Sequence, residues 1–522
     1  MMSAAVPAVF EAVKVDYAAI APMLVVVGGA LIGVLVEAVA PRSTRYGAQL
    51  VLTLATIAAA LVALFVWAVP HKAVTLGQSL AIDGPALFLQ ATLLVFGLLG
   101  VLAMSERFGG KSADAFTPMG ASSPGSPQEA AATRAGFATS EVFPLALFSL
   151  FGMLIFVAAN DLITMFVALE VLSLPLYILT GLARRRRLLS QEASLKYFLL
   201  GAFSSAFFLF GAALLYGFSG SSDLKLIARA ITTNSSQMNG LLLPGAILVL
   251  IGLLFKVGAV PFHSWTPDAY QGAPTPITGF MAAATKAAAF GAILRIAYVG
   301  LEVSRWDWRV GVGLIAAATM IVGAVLSVTQ TDVKRLLAYS SVAHAGFILV
   351  GLLSFDGNGI AGVMFYLVAY GLATLAAFAI VAMIRQGGSE ATHLSQWAGL
   401  GRKHPVVAGI FGLLLLAFAG IPLTSGFTSK FAVFAPAIHS GGTMGVLLVV
   451  IGVLASAVTA YVYFRIIVLM YFTQAPEDDV VALTPSVATT IVVTVGVLAT
   501  LLLGIVPGLL LQLAQDASTF LL

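Results

Sequence analysis

The sequence predicts an all-α integral membrane protein with about fourteen transmembrane helices. Of its 522 residues, 60% are hydrophobic and only 9% are charged, whereas soluble domains contain about 25% charged residues. The apolar runs are about twenty residues long, which is the length that a helix needs to cross a bilayer. They lack the alternation of polar and apolar residues that a membrane β-barrel requires. We therefore expect helices, and no barrel, to span the membrane.

The predicted spans are separated by short polar segments along most of the chain. They lie near 17–40, 47–69, 83–104, 141–159, 161–182, 191–218, 240–262, 274–301, 309–329, 333–354, 358–385, 404–438, 443–472 and 486–513. Charged residues precede the first apolar run, which is long enough to cross the membrane by itself. We therefore interpret it as a transmembrane helix and not as a cleaved signal peptide.

Two of the predicted spans contain residues that interrupt a helix. The twelfth span is too long for one straight crossing, and its centre contains Gly420, Pro422 and Gly426. The seventh span is interrupted in the same way at Gly258 and Pro261. Because the two spans are an odd number of crossings apart, the two discontinuous helices run in opposite directions, as they do in inverted-repeat transporters.

The breaks divide the chain into two inverted five-helix repeats with flanking segments. We expect an N-terminal three-helix segment at 1–104, a flexible linker at 105–140, a first repeat (helices 4–8) at 141–301, a second repeat (helices 9–13) at 309–472 and a C-terminal helix at 486–522. The linker is rich in Ser, Gly, Pro and Ala, which is typical of mobile segments. Loops after odd-numbered spans carry most of the loop lysines and arginines. The positive-inside rule then places the linker on the inner side and both termini on the outer side.

The composition excludes several classes of function for this chain. Cysteine is absent, which excludes disulfides, thiolate metal sites, iron–sulfur ligation and cysteine nucleophiles. No segment outside the spans is long enough to form a domain for a nucleotide or a flavin. The net charge of +4 comes from loop residues and does not indicate a nucleic-acid partner. We expect no cofactor and no metal in this chain, and lipid around it.

Four ionisable residues lie deep inside predicted spans, where a charge costs several kcal/mol. They are Glu170 in the fifth span, Lys256 in the seventh, Lys286 in the eighth and Lys430 after the break in the twelfth. A lysine in apolar surroundings can release its proton near neutral pH, so it can act as a relay. A Glu170–Lys256 pair would lower the burial cost of both charges. We interpret the four residues as a path for protons or another small cation. The alternatives are a neutral, hydrogen-bonded carboxyl at Glu170 and a Lys256 that snorkels to the inner surface.

Four further residues are candidates for supporting roles. His344 lies about eleven residues inside the tenth span, where it is either a proton relay or a hydrogen-bonded packing residue. Lys196 near the start of the sixth span and Arg465 near the end of the thirteenth are possible parts of the path, although snorkelling also explains them. Glu37, at the inner end of the first span, is expected to contact a loop or another subunit.

Several motifs resemble those of one family of membrane proteins. The stretch FKVGAVPFHSWTPDAYQGAPTPITGFMAAATKAAAFGAILR (Phe255–Arg295) resembles the signature of the proton-pumping, antiporter-like membrane subunits of respiratory complex I. Further matches are TDVKRLLAYSSVAHAGF (Thr331–Phe347), AGIPLTSGFTSKF (Ala419–Phe431) and SAVTAYVYFRIIVLMYF (Ser456–Phe472). The form WTPDAYQGAP, followed by a helix with lysine and not histidine, is most similar to the subunit N type. That type corresponds to mitochondrial NADH dehydrogenase subunit 2.

The resemblance implies a role for each of the four buried charges. Glu170 and Lys256 would be the paired charges of the fifth and seventh helices, Lys286 the central relay of the eighth and Lys430 the terminal lysine of the broken twelfth. Lys430 also argues against the sibling subunit M, which is expected to carry glutamate there. The chain length argues against subunit L, which continues into a long lateral helix.

The resemblance further implies a proton-translocating subunit of a membrane NADH:quinone oxidoreductase with an antiporter-like fold and no redox chemistry of its own. NADH, FMN, iron–sulfur clusters and quinone would then be held by other subunits. The implied partners are the other membrane-arm subunits, namely subunit M and the side of the small subunits K and J, and the implied location is a bacterial plasma membrane.

Two other functions remain open. The chain could belong to a multisubunit cation/proton antiporter, which has the same fold but no NADH or quinone. It could also be a structural scaffold of a membrane arm, in which the buried charges only hold neighbouring helices together.

Overall fold

The described chain consists mainly of helices that are long and apolar enough to cross a membrane. A computed structural model describes residues 13–107, 114–135, 137–233, 239–386, 389–474 and 480–521. Within these ranges, twelve helices have the length and composition of membrane spans. Two shorter apolar helices, Val142–Phe156 and Pro405–Ala419, lie where the fourth and twelfth spans are predicted. The chain is an all-α integral membrane protein, as the sequence predicted.

The helices follow one another through both halves of the chain. Those of the first half are α1 (Ala21–Val39), α2 (Arg42–Ala63), α3 (Gly84–Met104), α4 (Pro127–Arg134), α5 (Val142–Phe156), α6 (Leu162–Thr180), α7 (Arg187–Ser219), α8 (Leu224–Thr233), α9 (Asn239–Val257), α10 (Trp265–Gly272), α11 (Thr275–Phe280) and α12 (Lys286–Arg295). Those of the second half are α13 (Arg305–Val328), α14 (Val333–Leu352), α15 (Gly357–Met383), α16 (Leu400–Lys403), α17 (Pro405–Ala419), α18 (Ser425–Ser440), α19 (Gly442–Phe472), α20 (Val487–Ile505) and α21 (Gly508–Asp516). Turns with π-helical bonding extend α2 to Ala68, join α11 to α12 and continue α12 to Gly300.

Short strands occur only beside the helix ends in the described residues. Strands β1 (Ala73–Thr75) and β2 (Leu80–Ile82) form an antiparallel hairpin between α2 and α3. A second small antiparallel sheet has the order β4-β3-β5, with β3 (Ile384–Gln386) between β4 (Ser389–Glu390) and β5 (Val480–Ala482). This second sheet joins the end of α15 to the segment that leads into α20.

Aspartates begin four of the membrane helices. The carboxylates of Asp83, Asp161, Asp332 and Asp356 accept hydrogen bonds from backbone N–H groups in the first turns of α3, α6, α14 and α15, respectively. Such caps satisfy N–H groups that have no partner inside the helix. Each of these four helix starts is therefore set by the aspartate that directly precedes the helix.

The centre of the protein is the continuous helical segment from Thr275 to Gly300. Every residue of this segment is buried, and it packs against α3, α9 and α15. Its alanine- and glycine-rich sequence has no amphipathic pattern because neighbours surround it on all sides. The segment therefore places Lys286, at its middle, as far from lipid as this fold permits.

The two predicted repeats have matching helix contacts. Helix α5 packs on α6 in the first repeat as α13 packs on α14 in the second, and α7 packs on α9 as α15 packs on α18. Each repeat contains a broken helix, formed by α9 with α10 in the first and by α17 with α18 in the second. Helix α10 lies against α14, so the break in the first repeat contacts the second repeat directly.

The linker has more structure than its composition predicted. Its residues 108–113 and 136 lie outside the described residues, but the described part contains helix α4 and is tied to the loop before α7. The ion pair Asp114–Arg184 and the contact between Glu129 and Arg187 (3.6 Å) connect the two. A sequence rich in small residues is ordered here because charges on it meet opposite charges on the neighbouring loop.

The C-terminal segment also differs from the prediction of one helix over 486–513. Helix α20 ends at Ile505, and α21 starts at Gly508, directly after Pro507. Proline cannot donate the backbone hydrogen bond that would continue a helix, which explains the break. Helix α21 then packs against α15 and α3.

Both predicted helix breaks are present, and left-handed backbone conformations form them. Helix α9 ends before Gly258, which has φ +75°, and Pro261 lies in the following loop. Helix α17 ends before Gly420, which has φ +85°, and Pro422 lies between α17 and α18. The prediction for Gly426 was wrong in one respect, because this residue lies inside the first turn of α18 and not in the break.

Gly426 is needed for close packing of the two halves of the broken helix. A Cβ atom at this position would lie 1.7 Å from the carbonyl oxygen of Ala417. We expect Gly426→Ala to lower the free energy of unfolding by about 1–3 kcal/mol, because the overlap must be relieved by moving α18. Gly28→Ala is the matched control, since a Cβ there meets no atom within 4 Å. Thermal unfolding of the two purified variants in the same detergent measures the difference, and equal stabilities would contradict this packing role.

Candidate functional site

Lys256 lies at the end of α9 in a pocket of hydroxyl and aromatic groups. Its side chain is 4% exposed. Its Nζ donates hydrogen bonds to Ser173 Oγ (2.7 Å) and Tyr197 Oη (3.2 Å). The Nζ atom also lies 5.6 Å from the ring centroid of Tyr177. The lysine points into the protein and does not snorkel to a surface.

Glu170 and Lys256 do not form a direct ion pair in this structure. No salt bridge within 4.0 Å joins these two described residues, and the Oε1 atom of Glu170 has no hydrogen-bond partner among the described residues. Ser173, which accepts the bond from Lys256, lies one turn beyond Glu170 on α6. The charge of Glu170 still reaches Lys256 electrostatically. Lys256 therefore bonds to a hydroxyl group of α6 and not to the carboxylate of Glu170.

Glu170 lies partly at the surface of this chain, although its unpartnered Oε1 atom is buried. The residue is only half-buried. Exposed apolar residues flank it along α6, among them Val167 and Leu174. Glu170 therefore lies at the edge of a face that is open to lipid or to another protein.

Lys286 donates hydrogen bonds to one serine of the second repeat. Its side chain is 4% exposed. The Nζ atom donates to the Oγ atom (2.6 Å) and the carbonyl oxygen (2.5 Å) of Ser341, which lies on α14. The ring centroid of Tyr370 on α15 is 5.4 Å from the same Nζ. Lys286 therefore bonds from the first repeat to the second at the centre of the protein.

His344 lies one turn beyond Ser341 on α14, and it is enclosed by aromatic rings. Its Nδ1 is 2.7 Å from Tyr366 Oη, and its ring lies 4.6 Å from that of Tyr370. A cavity of about 10 Å³ lies between His344 and the broken helix at Phe418, which is about the smallest volume that holds one water. Both a proton relay and a packing histidine require a hydrogen-bond partner, and Tyr366 is that partner here.

Lys430 reaches back from α18 to the break that precedes it. Its Nζ donates to the carbonyl oxygens of Phe418 (3.1 Å) and Ala419 (2.8 Å) and to Ser456 Oγ (2.6 Å). These carbonyl groups are free because α17 ends there and no following turn uses them. The break therefore supplies the acceptors that hold an ammonium group inside the protein.

Aromatic and hydroxyl groups connect the amines into one continuous row. Tyr197 stacks on Trp265 with ring centroids 4.5 Å apart, and the Trp265 ring lies 6.5 Å from that of Tyr270. Tyr270 in turn lies near Ser341 and Tyr370. Phe347 completes the row, because it lies against both His344 and Lys430. The order along the row is thus Lys256, Lys286, His344 and Lys430.

Two of the auxiliary candidates, Lys196 and Arg465, form ion pairs or hydrogen bonds outside the row of buried amines. Lys196 pairs with Glu192 (2.7 Å) and with Asp268 (3.1 Å). Arg465 is exposed and donates to the carbonyl oxygen of Val328 at the end of α13 (3.0 Å). Neither residue contacts the row of buried amines.

Glu37 forms contacts within the N-terminal part of this chain. Its carboxylate accepts hydrogen bonds from Arg45 (3.1 Å), Gln49 (3.1 Å) and Ser140 (2.8 Å). It thus joins α1 to α2 and to Ser140, which lies two residues before α5 begins.

Asp268 links the two repeats on the side of the linker. It accepts hydrogen bonds from Lys196 on α7 (3.1 Å) and from Arg335 on α14 (2.5 Å). Burial raises the pKa of this carboxyl, but the bonds from Arg335 and Lys196 outweigh burial and hold its pKa below the ordinary value. Asp268 therefore remains an anion across the physiological pH range and keeps α10 attached to both helices.

Sequence reasoning missed the hydroxyl groups that bind the amines. Ser173, Ser341 and Ser456 each accept a hydrogen bond from one of the three lysines. The serine at 341 could have been found, because it precedes His344 by three residues and shares its helix face. Ser173 and Ser456 could not, because they reach their lysines from distant parts of the chain. Among the described residues, no group of three His, Asp or Glu side chains could hold a metal ion.

Comparison with known proteins gives a consistent result over the whole length. Residues 159–459 match the family described as NADH:quinone oxidoreductase/Mrp antiporter, TM. The NADH-quinone oxidoreductase subunit N of Rhodococcus opacus is 54% identical over 99% of this chain and 98% of its own length. The subunit N of Salinispora arenicola is 53% identical over 97% of this chain and 98% of its own length.

Solved structures show the same fold. A chain of respiratory complex I from Thermus thermophilus is 33% identical, with a TM-score of 0.74 and coverage of 95% of this chain and 99% of that one. A chain of the Mrp complex from Dietzia sp. DQ12-45-1b has a TM-score of 0.78, with coverage of 95% of this chain and 96% of that one, at 21% identity. At this lower identity, the likeness to the Mrp chain concerns the fold alone.

The broken helices and the row of buried amines define an antiporter-like membrane protein. Identities above one half extend over nearly the full length of the relatives. The chain belongs to the NADH-quinone oxidoreductase subunit N family.

Proposed function

We propose that this chain translocates protons as a membrane-arm subunit of an NADH:quinone oxidoreductase. The observation that carries the proposal is the burial of three lysines without a carboxylate partner. Lys256, Lys286 and Lys430 are at most 7% exposed, and no described carboxylate lies within 4.0 Å of any of them. Uncompensated ammonium groups are costly in such surroundings. Amines in this setting exchange protons when a nearby charge moves, which is what a relay requires.

The path in this proposal follows the order of the groups in the structure. Electron transfer in other subunits changes the distance between Glu170 and Lys256. When the carboxylate of Glu170 approaches, it replaces Ser173 as the hydrogen-bond acceptor of Lys256, and when it retreats, Ser173 accepts this bond again. Lys256 then exchanges its proton with Lys286, and His344 with its neighbouring water-sized cavity leads on to Lys430. Moving one charge against 100 mV requires about 2.3 kcal/mol. A change of a few ångströms in one buried charge pair supplies an energy of that size.

In this proposal the redox groups belong to other subunits. NADH, FMN, iron–sulfur clusters and quinone lie outside this chain, which contributes transport without redox chemistry. The partly exposed Glu170 and the apolar residues beside it suit a neighbouring membrane-arm subunit, with subunit M and the side of subunits K and J as the proposed partners. The proposed location is a bacterial plasma membrane with both termini on the outer side.

Replacement of Lys256 tests the proposal in the assembled complex. We expect Lys256→Ala to reduce coupled NADH:quinone turnover and proton pumping by roughly tenfold. This is less than the ~100-fold typical of removing an obligatory proton-transfer group, because the section from Lys286 to Lys430 stays intact. Proton pumping is measured by dye quenching in vesicles, and assembly is measured by native gel electrophoresis.

Lys72→Ala is the control, because Lys72 is an exposed lysine outside the row. A fully assembled Lys256→Ala complex that pumps at the rate of the control would contradict proton translocation through this chain. Purification of the native assembly tests the other transport function. A peripheral arm with flavin and iron–sulfur clusters agrees with the oxidoreductase, whereas their absence favours the cation/proton antiporter.

A further inference from the structure

A large cavity lies beside the linker, on the side of the chain that carries the run Arg184–Arg187. Its volume is about 730 Å³. Helix α4 and the residues before it form one wall, and the loop into α7 forms the second. The end of α10, the two residues that follow it, the start of α14 and the strands β3 and β4 close the remainder. We call it the arginine cavity. It is separate from the row of buried amines, and the transport path does not use it.

Basic groups outnumber acidic groups around the arginine cavity. The basic lining residues are Arg134, Arg184 to Arg187, Lys334 and Arg385. The acidic lining residues are Asp114, Glu129 and Glu390. Seven basic and three acidic side chains therefore line the cavity, so its wall has a surplus of positive charge.

Each of the three acidic residues is already paired within the wall. Asp114 binds Arg184, Glu129 lies 3.6 Å from Arg187, and Glu390 lies 3.9 Å from Lys334. Arg134 and Arg185 have no ion pair with any described residue, and both are exposed to the cavity side of the chain. Arg186 lies 4.0 Å from Asp332, which is outside the lining, and Arg385 lies 3.9 Å from Glu390. The positive charge that has no ion pair among the described residues is therefore that of Arg134 and Arg185.

Arg187 provides an independent indication that a ligand is missing from the wall. This side chain is 7% exposed. Its Nη2 donates to the carbonyl oxygen of Ser122 (3.0 Å), but its Nη1 has no hydrogen-bond partner among the described residues. A buried guanidinium N–H without an acceptor is costly and is rarely left so. An anion in the cavity would accept this bond.

The start of α7 adds a further anion-binding element. This helix is 33 residues long, and the residue before it, Arg186, makes no side-chain cap to its first N–H groups. The unpaired N–H groups and the helix dipole both favour a negative group at such an end. The positive end of the α7 dipole and the arginines therefore both favour an anion at the start of α7.

We propose that the arginine cavity binds a phosphate group. Several guanidinium groups together match the bidentate geometry of phosphate oxygens, and the volume of about 730 Å³ is that of a ligand site and not of a single carboxylate. Two sources can supply this chemistry. One is the headgroup of an anionic phospholipid, since basic pockets between membrane helices bind such headgroups. The other is a free phosphate or phosphate ester from the aqueous phase.

The experiment compares two probes on the purified, delipidated complex. One probe is phosphatidylglycerol, measured by native mass spectrometry, and the other is inorganic phosphate, measured by equilibrium dialysis. We expect one saturable site per chain for one of the probes. The double variant Arg134→Gln/Arg185→Gln should weaken that binding at least about tenfold, because two charge-assisted contacts are lost. Both positions are exposed, so folding is not at risk. Arg229→Gln, an exposed arginine on α8, is the matched control and should bind as the wild type does.

The two arms distinguish the sources. Phosphatidylglycerol binding that inorganic phosphate does not displace identifies a lipid headgroup, whereas phosphate binding without lipid binding identifies a free phosphate. A second measurement needs no variant: the bound probe should protect Arg134 and Arg185, but not Arg229, from modification by phenylglyoxal. Absence of a site for both probes, unchanged binding in the double variant or equal modification of all three arginines overturns the proposal.

Discussion

Lys286→Ala should abolish proton pumping by the assembled complex, with proton transfer slowed by about 100-fold or more. The effect is larger than that of Lys256→Ala because Lys286 lies in the middle of the row, where it bonds to the second repeat. Its Nζ bonds to Ser341 of the second repeat, and the ring of Tyr370 links it to His344. Alanine leaves a gap in the row that no other described amine can fill. Pumping in vesicles, normalised to the amount of assembled complex, is the measurement.

Lys286→Arg separates proton transfer from the effect of a positive charge. Arginine keeps the charge and can bond to Ser341, but it stays protonated under all physiological conditions. A relay therefore predicts that the arginine variant pumps as poorly as the alanine variant while it assembles better. Lys72→Ala again controls for loss of an exposed lysine.

The scaffold function makes the opposite prediction for the same variants. If Lys286 only holds α12 against α14, Lys286→Ala reduces the amount of assembled complex but leaves pumping per complex unchanged. Lys286→Arg then pumps normally, because the charge and the hydrogen bond are retained. Normal pumping in either assembled variant would rule out Lys286 as an obligatory relay.

Arg295→Ala should cause the largest loss of stability, about 3–5 kcal/mol. Arg295 and Asp83 form a two-point ion pair at 2.7 and 2.9 Å, and both side chains are 0% exposed. Removal of the arginine leaves a buried carboxylate without its partner. Asp83 also caps α3 and accepts the backbone N–H of Leu521 (3.2 Å). The pair therefore joins α12, α3 and the C-terminal segment at one point.

The exposed pair Arg305–Glu302 provides the control for this prediction. Its atoms are 3.8 Å apart, and its side chains are 37% and 48% exposed. Arg305→Ala should change stability by less than about 1 kcal/mol, since exposed ion pairs contribute little. Unfolding of the purified variants in mixed detergent micelles measures both effects. An Arg295→Ala protein as stable as Arg305→Ala would contradict the stabilising role of the Arg295–Asp83 pair.

The helical fold and the two broken helices could be predicted because they depend on the local amino-acid composition. Apolar runs of membrane length can only form helices that satisfy their own backbone groups. Gly258 and Gly420 mark the ends of α9 and α17 because glycine adopts the left-handed conformation that stops a helix. The prediction of a flexible linker from its composition was wrong for the described part of the linker. There, contacts with Arg184 and Arg187 hold a segment rich in small residues in place. It also misled at Pro507, which separates two helices that were predicted as one.

The buried amines were identified from sequence, but their partners were not. A lysine in an apolar run is easy to recognise as unusual, because a charged side chain costs more free energy inside the membrane than in a loop. Ser173 and Ser456 are ordinary residues in their own helices. Only the folded protein brings them to Lys256 and Lys430.

The sequence by itself determined that the chain lies in a membrane, where its helices break and which side chains must carry charge, because each of these depends on a single residue or its near neighbours. The tertiary structure decided that Glu170 stands apart from Lys256, that Ser341 connects the two repeats and that Arg295 is locked to Asp83. These contacts join residues far apart in the chain, and their distances are set by how whole helices pack.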